Sequence, residues 1–139
     1  MDSRFAELAD LVIDVAREIR IRGAVAGPGV PLNQTQSQVM RYVHAHPDCK
    51  ASEIADRTGV KRANVSAAVT ELRELGYLVS RRDTHDGRVV RISATSQAVE
   101  TLDRLRASWS AQLAEAWGDS TDDLGPMIDR LERLLDGLR

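Results

Sequence analysis

The chain has 139 residues, 42% hydrophobic and 29% charged, which fits one ordinary domain of about 150 residues and excludes a multidomain enzyme, a disordered chain and a disulfide-rich miniprotein. Aromatic residues make up 4%, with Phe5 the single phenylalanine, so the core is expected to be aliphatic and the stacking platforms of single-strand nucleic-acid binders are nearly absent. The net charge of −2 hides a segregation, with −1 over residues 1–49, +3 over 50–91 and −4 over 92–139, so the middle third is the candidate surface for a polyanion.

In chain order, Phe5, Leu8, Val12, Val15 and Ile19 recur at steps of three and four with charges between them, which predicts an amphipathic helix over 3–22. Glycines and prolines then cluster from Gly23 to Pro31, a loop by composition. Asn33, with Gln36 three residues on, reads as an N-cap and its capping-box partner. The helix they open turns Val39, Met40 and Val43 to a core and ends before Pro47. A third short helix is expected over about 51–57 and a fourth over 61–75, with Thr58-Gly59-Val60 between them.

After Gly76, Leu78–Arg82 and Arg88–Ile92 are β-prone runs joined by Asp83-Thr84-His85-Asp86-Gly87, a hairpin signal. Thr95 is a fitting N-cap for a long helix whose stripe is Leu102, Leu105, Trp109, Leu113 and Ala116 or Trp117, and which Gly118 ends. Asp119-Ser120-Thr121 is expected to cap a last helix carrying Leu124, Met127, Ile128, Leu131, Leu134, Leu135 and Leu138, with Pro126 in its first turn.

The stretch Ala51 to Thr70 carries the functional signal. Two helices that cross closely in a helix-turn-helix need a small residue on the first, a residue tolerant of positive φ in the turn, and a β-branched residue packing back from the second. Ala55, Gly59 and Val65 meet those needs, and Ile54, Val60 and Ala68 supply apolar contacts. With the hairpin that follows, the pattern predicts a mainly α fold with a small β-hairpin: a winged helix-turn-helix over 32–92, flanked by dimerisation helices at 1–22 and 95–139.

On the wheel for 61–75, Val65, Ala68, Val69, Leu72 and Leu75 share the core face. The opposite face holds Ala63, Ser66, Ala67 and Thr70, small enough to let the helix approach the major-groove floor. Lys61, Arg62 and Asn64 lie in the first turn, which enters deepest in this motif, and Arg73 lies at the margin. In the wing over 78–92, Arg88 follows the Asp86-Gly87 turn, where it suits a narrow minor groove, with Asp86 placed to orient it by a bidentate pair. Arg81, Arg82 and Arg91 read as phosphate contacts or plain surface charges.

With these elements in place, the sequence resembles the MarR (multiple-antibiotic-resistance regulator) family of bacterial transcription regulators over nearly its whole length. The resemblance rests on Leu32 to Gln36 opening the second helix, Ile54-Ala55, Gly59-Val60, Val65-Ser66, Leu72, Gly76, the wing residues Asp83, Asp86 and Arg88, and Thr95 opening the long helix. It implies a homodimer on a pseudo-palindromic double-stranded DNA operator, a repressor's role, and in many relatives release by a small amphipathic or phenolic ligand held between the dimer and DNA-binding parts. Four positions depart from the family pattern. Ala67 stands where Arg is frequent, Glu71 where a basic residue is, Gly87 where the wing has a first Arg, and Ala98 where the long helix has Gly. All four leave the fold untouched, but the first three remove charges that usually contact DNA, so no known operator sequence carries over.

A homodimer is expected from the residues as well, because the aliphatic stripes of the first and last two helices exceed what one small winged unit covers. Two recognition helices about 34 Å apart would then read successive major grooves. The effector site is not assigned; Arg17, Arg20 and Arg41 are candidates to pair a ligand carboxylate, or are surface ion-pair partners. No cofactor is expected, and His44, His46, His85 and Cys49 lack metal-ligand spacing. The lone Cys49 beside Lys50 is weighed as a redox sensor. An enzyme is disfavoured because nucleophile-elbow, phosphate-loop and zinc-protease motifs are missing. The rival reading is a winged-helix module that binds only protein. The single cysteine, the lack of a secretory-signal pattern and the lack of an apolar run of about 18 residues lead to a cytoplasmic expectation without membrane association.

Overall fold

The first amphipathic stretch forms α1, Arg4–Ala26, in the computed structural model, which describes residues 1–26 and 32–139. The helix runs one turn beyond the expected end at Arg22, through Gly23. A single helical glycine costs only about 1 kcal/mol relative to alanine, too little to stop a propagating helix. The rest of the expected loop, 27–31, lies outside the described residues.

α2, Gln34–Ala45, opens on the predicted capping box: Gln36 N–H donates to Asn33 Oδ1 at 2.8 Å, and Asn33 N–H donates to Gln36 Oε1 at 3.0 Å. α2 ends at His46, whose ring stacks on Tyr42 with centroids 4.3 Å apart. α3, Ala51–Thr58, closes on Gly59 in the left-handed region at φ 73°. α4, Arg62–Glu74, follows with Lys61 at its N-cap. Val39, Val43, Ile54, Val65 and Leu72 are fully buried where α2, α3 and α4 meet. Each such side chain contributes about 1.5–3 kcal/mol through burial, and together they fix the angle at which α4 leaves the body.

Leu75 departs from expectation, since it remains 36% exposed instead of joining that face. The helix stops at Glu74, Leu75 is its C-cap, and the chain turns away at Gly76 with φ 78°. β1, Leu78–Arg82, and β2, Val90–Ala94, pair antiparallel with Ser80 opposite Ile92. β2 begins two residues later than the β-prone run, because Arg88 and Val89 are held in the turn by Asp86. Cys49 adds a bridge at the open edge of β2, exchanging backbone bonds with Ile92 at 3.2 and 2.8 Å.

α5, Ser96–Trp117, starts as expected on Thr95, whose hydroxyl accepts Ala98 N–H at 3.3 Å and donates to Gly76 O at 2.7 Å. That second bond ties the start of α5 to the turn that follows α4. α6, Leu124–Leu138, has Pro126 in its first turn, but its N-cap is Asp123, without a side-chain capping bond, instead of a residue of 119–121. Ser120 is engaged elsewhere, its carbonyl accepting Trp117 Nε1–H at 3.0 Å and its hydroxyl bonding to Asp122. α1 packs on α5, yet Phe5, Val12 and Val15 on α1 and Met127, Ile128, Leu131 and Leu135 on α6 are all exposed in the single chain, and α6 buries no residue at all. No helix among the described residues is long and apolar enough to cross a membrane.

Candidate nucleic-acid interface

α4 places Ala63, Ser66, Ala67 and Thr70 on one outward stripe, and all four are exposed. Glu71 and Glu74 continue the same stripe, and the six line a shallow depression along the helix. Lys61, Arg62 and Asn64 are exposed around the N-terminal end, where no side chain caps the helix. Uncapped backbone N–H groups beside Lys61 and Arg62 suit a phosphate oxygen. The helix is thus basic at the end nearest the turn, small in the middle and acidic at its far end.

Two predicted contacts have a more defined setting than sequence alone supplied. Thr70 Oγ1 donates to Ser66 O at 3.1 Å, which leaves its oxygen as an acceptor. Arg73 leans away from the stripe toward the hairpin, its Nη1 donating to Ser80 Oγ at 3.1 Å. A further contact, Gln36 Nε2–H to Glu71 Oε2 at 2.6 Å, joins the opening of α2 to the outer face of α4.

Two aspartates, Asp83 and Asp48, pair with the arginines of the wing. Asp83 Oδ2 accepts the backbone N–H groups of His85 and Asp86 at 3.2 and 3.1 Å, while its Oδ1 pairs with Arg91 Nε at 3.2 Å. These bonds hold the Asp83 carboxyl below the usual carboxylate range, the backbone N–H groups contributing most. Asp48, at φ 60°, pairs with Arg81 at 3.1 Å and accepts the Ser93 hydroxyl. The Arg81 bond is the main cause of its lowered pKa. Arg82 Nη1 donates to Gly87 O at 3.1 Å across the turn. Arg81, Arg82 and Arg91 therefore brace the hairpin. Nothing local in the sequence marks Asp48 for this role, since Ser93 lies 45 residues away.

Asp86 and Arg88 sit exposed at the wing tip as expected, but not as an ion pair among the described residues. Asp86 Oδ1 instead accepts the Arg88 backbone N–H at 3.0 Å. A short carboxylate reaches the backbone two residues on at little entropic cost, whereas fixing a guanidinium costs about 2 kcal/mol of rotamer freedom. Asp86 shapes the turn and leaves the Arg88 side chain to project.

Cys49 is buried at 2% exposure, and its thiol is pushed up to about 11, chiefly by burial and then by Glu53. So little thiolate at neutral pH leaves a poor peroxide sensor. Among the described residues no group of His, Cys, Asp and Glu is placed to hold a metal.

Three helices around a buried core, with the outer face of α4 exposed and a braced hairpin beside it, define a winged helix-turn-helix protein. Residues 29–89 match the model of the MarR family. No curated protein sequence matches the chain. Solved structures do. The DNA complex of Streptococcus pneumoniae FabT is similar at 17% identity and a TM-score of 0.75, covering 97% of this chain and 99% of that one. A MarR family protein from Bacillus stearothermophilus is similar at 20% identity and 0.74, covering 99% and 96%. The Streptomyces coelicolor transcriptional regulator PcaV, in complex with its natural ligand, is similar at 18% and 0.72, covering 100% and 98%. Residues 29–89 are thus similar to the MarR family, and the chain has the fold of solved MarR-family structures along its length.

Proposed function

We propose that the protein is a sequence-specific, double-stranded DNA-binding transcription regulator, a repressor that sits on a pseudo-palindromic operator as a homodimer. The observation that carries this reading is the outer stripe of α4, where Ala63, Ser66, Ala67 and Thr70 are all small and exposed. Such a face fits the floor of the major groove, with Ser66 and Thr70 for base edges and a thymine methyl within reach of Ala67. Lys61, Arg62, Asn64 and Arg73 flank it for phosphates and groove edges, and Arg88, positioned by Asp86, reaches from the wing toward the minor groove.

Dimerisation follows from the exposed aliphatic faces of α1 and α6, which a second copy would cover. It also supplies the second recognition helix that a palindrome requires. A small amphipathic or phenolic effector bound between the dimer helices and the winged unit would change the spacing of the two α4 helices. The ligand-bound structure of PcaV favours that part of the reading. Titrating the full-length protein into duplexes that carry or lack an inverted repeat tests the reading. Saturable, repeat-dependent binding supports it; affinity indifferent to sequence, with no preference at any position, refutes it in favour of a protein-binding module.

A further inference from the structure

The proposed function leaves Glu71 unexplained. It is an exposed carboxylate on the very stripe that would face a polyanion. It is also held in place. Gln36 spends its Oε1 on the capping bond from Asn33 N–H at 3.0 Å, and its Nε2–H donates to Glu71 Oε2 at 2.6 Å. The capped end of α2 therefore fixes the Gln36 amide, and the amide fixes one oxygen of Glu71. The other oxygen, Oε1, has no protein partner among the described hydrogen bonds. Immediately before it on the same stripe, Thr70 has given its only hydroxyl proton to Ser66 O at 3.1 Å. The Thr70 and Glu71 side chains therefore present acceptors and no free donor.

A fixed carboxylate brought against DNA loses water and meets phosphate repulsion unless a donor receives it. The donors in the major groove are the N4 amino group of cytosine and the N6 amino group of adenine. Adenine sets its N7 acceptor beside N6, guanine offers the acceptors O6 and N7, and thymine offers O4. Cytosine alone presents an amino group without an acceptor on the same base edge. Resting on the regulator reading above, we infer that Glu71, positioned by Gln36, is a specificity determinant that selects cytosine at one position of each operator half-site.

The test uses full-length protein and the operator it selects from a random duplex pool, with each base pair of the half-site then replaced in turn. Wild type should prefer cytosine at one symmetry-related position by about tenfold, within the range of a good base contact. Glu71→Ala should abolish that preference and leave the others. Glu71→Gln should move it toward adenine, whose N6 and N7 match an amide. Gln36→Glu keeps an acceptor for the α2 capping box but sets a like charge against Glu71, and should reduce the cytosine preference without loss of helicity. Uniformly tighter binding by Glu71→Ala, with base preferences unchanged, would overturn the inference and make the carboxylate a repulsive charge only. Failure of the wild type to select any operator would instead remove the regulator reading on which the inference rests.

Discussion

Gly59 is the hinge point of the helix-turn-helix, and its replacement by alanine gives a prediction whose size can be worked out from the structure. The residue sits at φ 73° and ψ 4°, and its N–H closes α3 on Ala55 O at 3.0 Å. A Cβ built there would meet no atom within 4 Å, so the packing contribution is nil and only the backbone matters. Holding an L-residue in the left-handed region costs about 1–2 kcal/mol. Alanine also narrows the unfolded ensemble, which returns about 0.4–1 kcal/mol. The net expectation is a loss of about 1 kcal/mol, or roughly 3–5 °C in Tm for a chain of this size. Gly59→Asn should lose less, because asparagine visits this region more readily, and Gly59→Val should lose more. Urea unfolding followed by far-UV circular dichroism, at one fixed protein concentration, measures all three. An unchanged or raised midpoint for Gly59→Ala, or a loss beyond about 3 kcal/mol, would refute the backbone argument, the latter by revealing a packing clash.

Leu72→Ala, at a fully buried site on the inner face of α4, should cost about 2–5 kcal/mol in the same unfolding assay. Arg88→Ala should weaken operator binding by about 1–3 kcal/mol and flatten any preference for an A·T-rich flank, as competition between flanking sequences would read out. Leu131→Glu, on the exposed face of α6, should shift sedimentation from dimer toward monomer; an unaltered dimer would place the interface elsewhere. Burial raises the Cys49 thiol from 9.0 to about 11, so the folded state holds the proton longer than the unfolded one. The stability this confers is complete below pH 9 and is lost as pH rises toward 11. Cys49→Ala should therefore show a shallower alkaline loss than wild type in unfolding at stepped pH.

Features encoded within a few residues of one another were the legible ones. The Asn33–Gln36 capping box, the Ala55, Gly59 and Val65 crossing, and Thr95 as cap of the long helix each depend on neighbours three to ten residues apart, and all stand in the structure. Two boundary errors came from local rules met by competing local forces. Gly23 did not stop α1 because helix propagation outweighs one glycine, and Arg88 did not enter β2 because the Asp86 carboxylate captured its N–H. Leu75 fitted the helical period but fell one residue past the helix, where period no longer decides burial. The braces of the site were illegible for a different reason. Asp48 to Ser93 and Gln36 to Glu71 join residues 45 and 35 positions apart, and charge or polarity alone does not say which partner the fold will supply.

The central claim is that α4 and the wing read a palindromic duplex as part of a dimer, and selection of bound duplexes from a random pool tests it most directly, with salt dependence measured on the winning sequence. The account predicts an inverted repeat with half-site centres about one helical turn, roughly 34 Å, apart, and affinity that falls steeply with salt. A folded, dimeric protein that enriches no sequence would contradict it.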